Sequence, residues 1–142
     1  MKLSVHGSEI EIDETSIEQP PEEIRRQVSA YERGDRRTFG LDVRFPEGLT
    51  GEVMSAMVDI PYGETRSYGD LAATLDTAPV AVGGACGRNP VPIVVPCHRV
   101  VGSDGGLRGY SGGDGVETKR RLLAFEAGGL DDESRQTRLP IE

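Results

Sequence analysis

Cys97, His98 and Arg99 stand consecutively in the run Pro96-Cys97-His98-Arg99-Val100, and their types point to nucleophilic chemistry. A thiol attacks as its thiolate, and a nearby base and positive charge raise the thiolate fraction. Cys97 is therefore a candidate nucleophile toward an electrophilic carbon. The triplet alone leaves a plainer role open, because neighbours on a strand face opposite ways and a buried cysteine is commonly a packing residue. Cys86 is the only other cysteine, so no disulfide framework is expected, and a reducing compartment follows. His6 and His98 lie far apart and no CxxC or HxxxH spacing occurs. No structural metal is expected.

The elements that must position these residues are legible in part. Leu3 and Val5, then Ile10 and Ile12, alternate as short strands, and Pro20-Pro21-Glu22-Glu23 opens a helix. Residues 38–45 (TFGLDVRF) alternate again and predict a strand, giving a small α/β appendage over residues 1–48. From Thr50 onward, Val53, Met54, Met57 and Val58 recur at helical spacing up to Ile60-Pro61-Tyr62-Gly63. Ser67 before Tyr68, Gly69 and Asp70 resembles a capping box at the start of a helix through Leu71, Ala72, Ala73 and Leu75. Asp76 or Thr77 is expected to cap the next helix, residues 78–87, with Pro79 in its first turn.

Two short helices joined by a tight turn suggest a helix-turn-helix. The second reads PVAVGGACG, and its paired glycines cost ~1 kcal/mol each relative to alanine. Either close approach to a DNA groove or tight packing against a neighbouring helix compensates. Asn89-Pro90-Val91-Pro92 then breaks the chain, residues 93–95 read as a short buried strand, and residues 131–142 form a flexible tail. The expected fold is α+β, the appendage preceding a winged helix-turn-helix-like domain at 49–130.

Composition bounds the setting. The chain has 142 residues, 36% of them hydrophobic, and no apolar run approaches the ~18 residues of a membrane span. Its acidic start leaves no signal-peptide core, so a soluble cytoplasmic protein is expected. The net charge of -8 argues against binding DNA by bulk electrostatics. Residues 77–113 are locally basic, however, with Arg88, Arg99 and Arg108 against Asp104. Lysine occurs only at Lys2 and Lys119, and so acidic a surface suits a cytoplasm of high salt or is simply an ordinary acidic surface.

The run NPVPIVVPCHRVVG at residues 89–102 resembles the active-site signature of the O6-alkylguanine-DNA alkyltransferases, or methylated-DNA-protein-cysteine methyltransferases. IPYGETRSYGDLA (60–72) and AVGGACGRNP (81–90) are similar to that family's DNA-facing helices. GYSGG (109–113) and KRRLLAFE (119–126) are similar to its pocket loop and final helix. The resemblance covers residues 50–128 in order.

It implies single-turnover transfer of an alkyl group from O6-alkylguanine in double-stranded DNA to Cys97, by a monomer, with no cofactor. Glu126 would orient His98, His98 would take the Cys97 proton through a water, and Asn89 would brace the turn beneath them. Tyr68 and Ser111 would donate toward the leaving base. Tyr110 and Cys86 would line its pocket, and the carbonyls of Cys97 and Val100 would read its amino group. The damaged base would be flipped out of the duplex. Ser67, Val80, Ala81, Gly84, Ala85 and Arg88 would face DNA, with the small residues allowing close approach to the minor groove.

Departures from the family pattern accompany the likeness. Val80 stands where the family places the arginine that fills the gap behind the flipped base, and Arg88 is the nearest cation. The stretch 114–118 after GYSGG is about two residues longer than the family pattern. The N-terminal part is shorter than the family's first domain and lacks the zinc ligands of some members. Two alternatives follow: a damage sensor that binds and flips alkylguanine without transfer, and a cysteine-dependent hydrolase or redox protein.

Overall fold

The computed structural model describes residues 1–104, 106 and 115–128. It opens on a hairpin in which β1 (Lys2–Val5) pairs antiparallel with β2 (Ser8–Glu11), Leu3 opposite Ile10. The alternation buries Leu3, Val5 and Ile10, with Ile12 following inward. His6 and Gly7 make the two-residue turn with φ of 50° and 83°, the sign pattern of turns that match strand twist.

Helix α1 (Pro21–Glu32) has Pro21 where a missing N–H costs nothing and buries Ile24, Gln27, Val28 and Tyr31 along one face. Its end is closed by Gly34 at φ 83°, with Gly34 N–H donating to Tyr31 O (3.0 Å) and Asp35 N–H to Ala30 O (2.8 Å). This paired closure is a Schellman motif, and it fixes the last turn.

The strand expected at 38–45 does not form. Only one bridge, Ile17 with Val43, joins this stretch to another. Its hydrophobic residues Phe39, Leu41 and Val43 do pack on the core, which explains the alternation. Its backbone is satisfied largely by glutamine side chains: Gly40 N–H donates to Gln27 Oε1 (2.8 Å), Asp42 N–H to Gln19 Oε1 (2.8 Å), and Gln27 Nε2 to Gly40 O (3.2 Å). Alternating burial without a partner strand gives an extended loop.

Helix α2 (Leu49–Val58) buries Val53, Met54 and Met57. A Cβ at Gly51 would lie 1.8 Å from Pro46 O, so glycine is the residue the incoming chain allows. Then come β3 (Arg66–Ser67), α3 (Tyr68–Leu75) and α4 (Pro79–Gly87). The expected capping box is present: Ser67 Oγ accepts from Asp70 N–H (2.9 Å) and Asp70 Oδ2 from Ser67 N–H (3.3 Å). The start of α4 corrects expectation. Its N-cap is Ala78, without a side-chain bond, because Asp76 is already used in left-handed geometry (φ 56°) to end α3.

Residues 93–95 are not a strand either. Prolines 90, 92 and 96 remove donors, Ile93 takes φ 75°, and Val95 N–H closes a turn onto Val91 O (3.0 Å). A 3₁₀ helix at Cys97–Arg99 leads into β4 (Val100–Val101), which pairs parallel with β3. Cys97 and His98 thus lie on a tight helical turn rather than a strand. Helix α5 (Val116–Glu126) completes the described fold. One hydrophobic cluster runs from Leu3 to Phe125, across the boundary expected near residue 48. Among the described residues, no helix is long and apolar enough to cross a membrane. The expected tail at 131–142 lies outside the described residues.

Candidate active site

The short parallel ladder does positional work. Pairing Arg66 with Val100 and Ser67 with Val101 fixes the first residue of α3, Tyr68, relative to the turn that carries Cys97. Cys97 is 3% exposed, and its N–H donates to Val95 O (2.8 Å). Buried Asn89 lies within the loop below and bonds to it twice. Its Nδ2 donates to Val95 O (2.9 Å) and its Oδ1 accepts from Val91 N–H (3.1 Å). These bonds hold a loop in which Ile93 occupies a conformation unfavourable for a β-branched residue.

His98 is fully buried, with Nε2 2.7 Å from Glu126 Oε2. Its Nδ1 has no hydrogen-bond partner among the described residues. Burial pushes the imidazole below its ordinary range against the pull of Glu126, and the charges of Arg99 and Lys119 add to the lowering. Burial alone would raise the Glu126 carboxyl, but His98 and Arg99 overcome it and hold the group well below the usual carboxylate range. The arrangement is a neutral imidazole with its hydrogen on Nε2, facing a carboxylate, and a lone pair on Nδ1.

Arg99 corrects the simplest view of the Cys-His-Arg triplet. It is buried at 5% exposure and turned to Glu126, with Nε to Oε1 (2.8 Å), Nη2 to Oε2 (2.9 Å) and Nη1 to Ile60 O (2.7 Å). Its charge neutralises the carboxylate instead of standing free beside the thiol. Nor does it add to a basic surface. Of the arginines in 77–113, Arg88 remains exposed and Arg108 lies outside the described residues.

Sequence reasoning missed two further members of this neighbourhood. Tyr31 donates its hydroxyl to Glu126 Oε2 at 2.7 Å, across 95 positions of chain. Lys119, 0% exposed, places Nζ 3.3 Å from Tyr68 Oη and 5.5 Å from its ring centroid. Periodicity held a clue to Lys119, since it lies two turns before Glu126 and shares a buried face with Leu122. Tyr31 was legible only as a core residue of α1.

The remaining site residues divide. Tyr68 is half-buried, with its hydroxyl accepting from the buried Lys119 Nζ. Val100 is buried in β4, and its N–H already donates to Cys97 O, leaving that carbonyl one further lone pair. Burial pushes the Cys86 thiol up to about 12, Cys97 adding to the rise and Lys119 easing it. Cys86 Sγ lies 3.6 Å from Met57 Sδ, an inert packing contact. Tyr110 and Ser111 lie outside the described residues.

On α4, Val80 is 83% exposed at the first turn, Gly84 is exposed and Ala81 is half-buried. Ala85 is 0% exposed, so its small side chain serves packing beneath the helix and not its outer face. Packing thus accounts for the small residue at Ala85, while Val80, Ala81 and Gly84 lie on the outer face. Arg88 Nε donates to Thr50 Oγ1 (3.0 Å), and the side chain crosses Gly84, whose Cβ would meet Nη1 at 3.3 Å. Eight residues separate it from Val80, ~12 Å along a helix.

A family model described as 6-O-methylguanine DNA methyltransferase, DNA binding domain, matches residues 49–128. A methylated-DNA--protein-cysteine methyltransferase of Methanosarcina acetivorans is 44% identical over 108 residues, covering 73% of this chain and 67% of the relative. That of Mycolicibacterium paratuberculosis is 48% identical over 104 residues, covering 70% and 61%. The crystal structure of Mycobacterium tuberculosis OGT in complex with DNA matches with a TM-score of 0.67 at 42% identity, covering 76% of this chain and 68% of that one. With the buried His98–Glu126 pair beside Cys97 and a model that spans more than half the sequence, the chain belongs to the 6-O-methylguanine DNA methyltransferase family.

Proposed function

We propose that this chain repairs DNA by direct reversal, moving an alkyl group from O6-alkylguanine to Cys97 in one irreversible turnover. The observation that carries the proposal is the fully buried His98 held by Glu126 through Nε2, with Nδ1 open to receive a proton. His98 takes the Cys97 proton through a water, and the thiolate attacks the alkyl carbon in line. The S–C bond forms as the C–O6 bond breaks, and the electron pair leaves with guanine. Tyr68, with Lys119 Nζ at its hydroxyl, donates toward the base as negative charge develops there, and Ser111 donates on its O6 side. Tyr68 recovers its proton from the imidazolium, so the thiol proton ends on guanine.

A base stacked in duplex DNA cannot reach a thiol 3% exposed, so the nucleotide is flipped into a pocket lined by Tyr110, Cys86 and Val100. The outer face of α4, with Val80, Ala81 and Gly84, approaches the minor groove, flanked by Ser67 and Arg88. The protein works as a monomer on double-stranded DNA in the cytoplasm, without metal or organic cofactor. The presence of Cys97 and the transfer activity named for the relatives leave the sensor alternative without support.

The test is intact-mass measurement after incubation with a duplex containing methylated guanine. One added methyl group, mapped to the peptide holding Cys97 and absent in Cys97→Ala, is the expected result. Binding without added mass would overturn the proposal.

A further inference from the structure

Glu126 accepts from five donors: Tyr31 hydroxyl, His98 Nε2, Arg99 Nε and Nη2, and the Gly63 N–H (3.3 Å). Four belong to residues 49–128 and one does not. We infer that Tyr31, supplied by α1 of the N-terminal segment, is a positioning residue of the alkyl-transfer site, holding the Glu126 carboxylate so that Oε2 faces His98. The inference rests on the roles proposed above for Cys97, His98 and Glu126, and it extends the working site beyond the region that the family model covers.

Several features show that the contact is built. Tyr31 is 0% exposed, and its ring packs edge-on against Phe125 (centroids 5.5 Å) and Tyr62 (6.2 Å). The Schellman closure at Gly34 fixes the turn of α1 that carries it, and a Cβ at Gly34 would touch Phe125 Cζ at 4.0 Å. Phe125 precedes Glu126, so α1 registers against α5 through the ring and through the hydroxyl.

Burial chiefly, and then the Glu126 charge, drive the Tyr31 hydroxyl far above its ordinary range, which keeps it a donor. Two consequences follow. The carboxylate cannot rotate away from Nε2 without abandoning a buried hydroxyl. It is also less basic than with one donor fewer, so the proton taken from Cys97 stays on His98 and does not pass to Glu126. Among the described residues, the charged and titratable groups around this pair are Tyr31 from α1, Tyr62 from the loop after α2, Cys97 and Arg99 from the 3₁₀ turn, and Lys119 from α5.

Tyr31→Phe keeps the ring and removes only the hydroxyl. With saturating methylated duplex, transfer should slow about tenfold, the scale of one hydrogen bond to a charged group, while the half-saturating DNA concentration stays unchanged. A less satisfied carboxylate holds an imidazolium more strongly, so the acid limb of the rate profile should move to higher pH. A structural role alone would not move that limb.

A second measurement avoids kinetics. The chain has two histidines, His6 and His98, so nitrogen NMR titration in a Cys97→Ala background can follow His98 with and without the Tyr31 hydroxyl. An upward move in its titration supports the inference. An unchanged titration, or an unchanged rate and acid limb in a wild-type background that gains its methyl group, overturns it. Failure of the wild-type chain to gain that group would instead overturn the proposed function.

Discussion

The cluster around Glu126 and the outer face of α4 solve opposite problems. In the cluster every described charge is buried and matched: Arg99 forks onto the carboxylate, Tyr31 and His98 complete it, and Lys119 lies against Tyr68. The α4 face shows an exposed valine, bare glycine backbone and one arginine tied to a threonine. The difference separates chemistry from search. Donors already fixed in a buried site cost little reorganisation when charge develops. A surface with a single cation among small and apolar side chains reads little sequence, which suits a protein that must recognise damage in any context.

The comparison breaks first at Glu126. Glu126→Ala should lower unfolding free energy by ~3–5 kcal/mol, because it leaves the Arg99 guanidinium buried without its partner, and methyl transfer should fall below detection. Urea denaturation monitored by circular dichroism provides the check. A loss below ~1 kcal/mol would put Glu126 on a par with an exposed surface residue.

Val80 tests the other side. If position 80 holds the gap behind a flipped base, as proposed, Val80→Arg supplies a long cation there, and transfer should speed up several-fold on duplex and little on single-stranded substrate. Equal effects on both would remove Val80 from the flipping step.

The smallest expected effect is a flat pH response. Since burial holds His98 below an ordinary imidazole value near 6.5, transfer at pH 6.5 should stay within about twofold of its rate at pH 7.5. Stability carries the matching sign. The folded chain binds the His98 proton less readily than the unfolded chain, so this contribution is complete above the unfolded value. It declines as pH falls through that value toward the lower folded one. A transfer rate already halved at pH 6.5 would place His98 among exposed imidazoles.

The sequence carried much of this, unevenly. Local rules were reliable where the deciding partner was close: the Ser67–Asp70 capping box, Pro21 at the start of α1, and the alternation of Leu3, Val5 and Ile10. They failed where a remote partner decided. Residues 38–45 alternate because Phe39, Leu41 and Val43 face the core, yet glutamine amides replace the missing strand partner. Residues 93–95 are apolar like a strand, but prolines and Asn89 fold them into a loop.

At the site, the resemblance located Cys97, His98, Asn89 and Glu126. Arg99 was visible as a charge but not by its direction, which depends on a carboxylate 27 positions later. Tyr31 needed the tertiary fold itself. No periodicity in α1 could reveal that one of its core residues ends on the carboxylate of α5.

The unbroken hydrophobic cluster from Leu3 to Phe125 has a consequence for how the molecule comes apart. An excised piece beginning at residue 49 would lose Ile24, Val28 and Tyr31 from the core, and with Tyr31 the ring against Phe125 and the hydroxyl bonded to Glu126. The hairpin, α1 and α5 should therefore melt as one cooperative unit, with amide protons of α1 and α5 exchanging at a common rate under conditions of global opening. In this chain, the N-terminal segment is tied through Tyr31 to the carboxylate that holds His98.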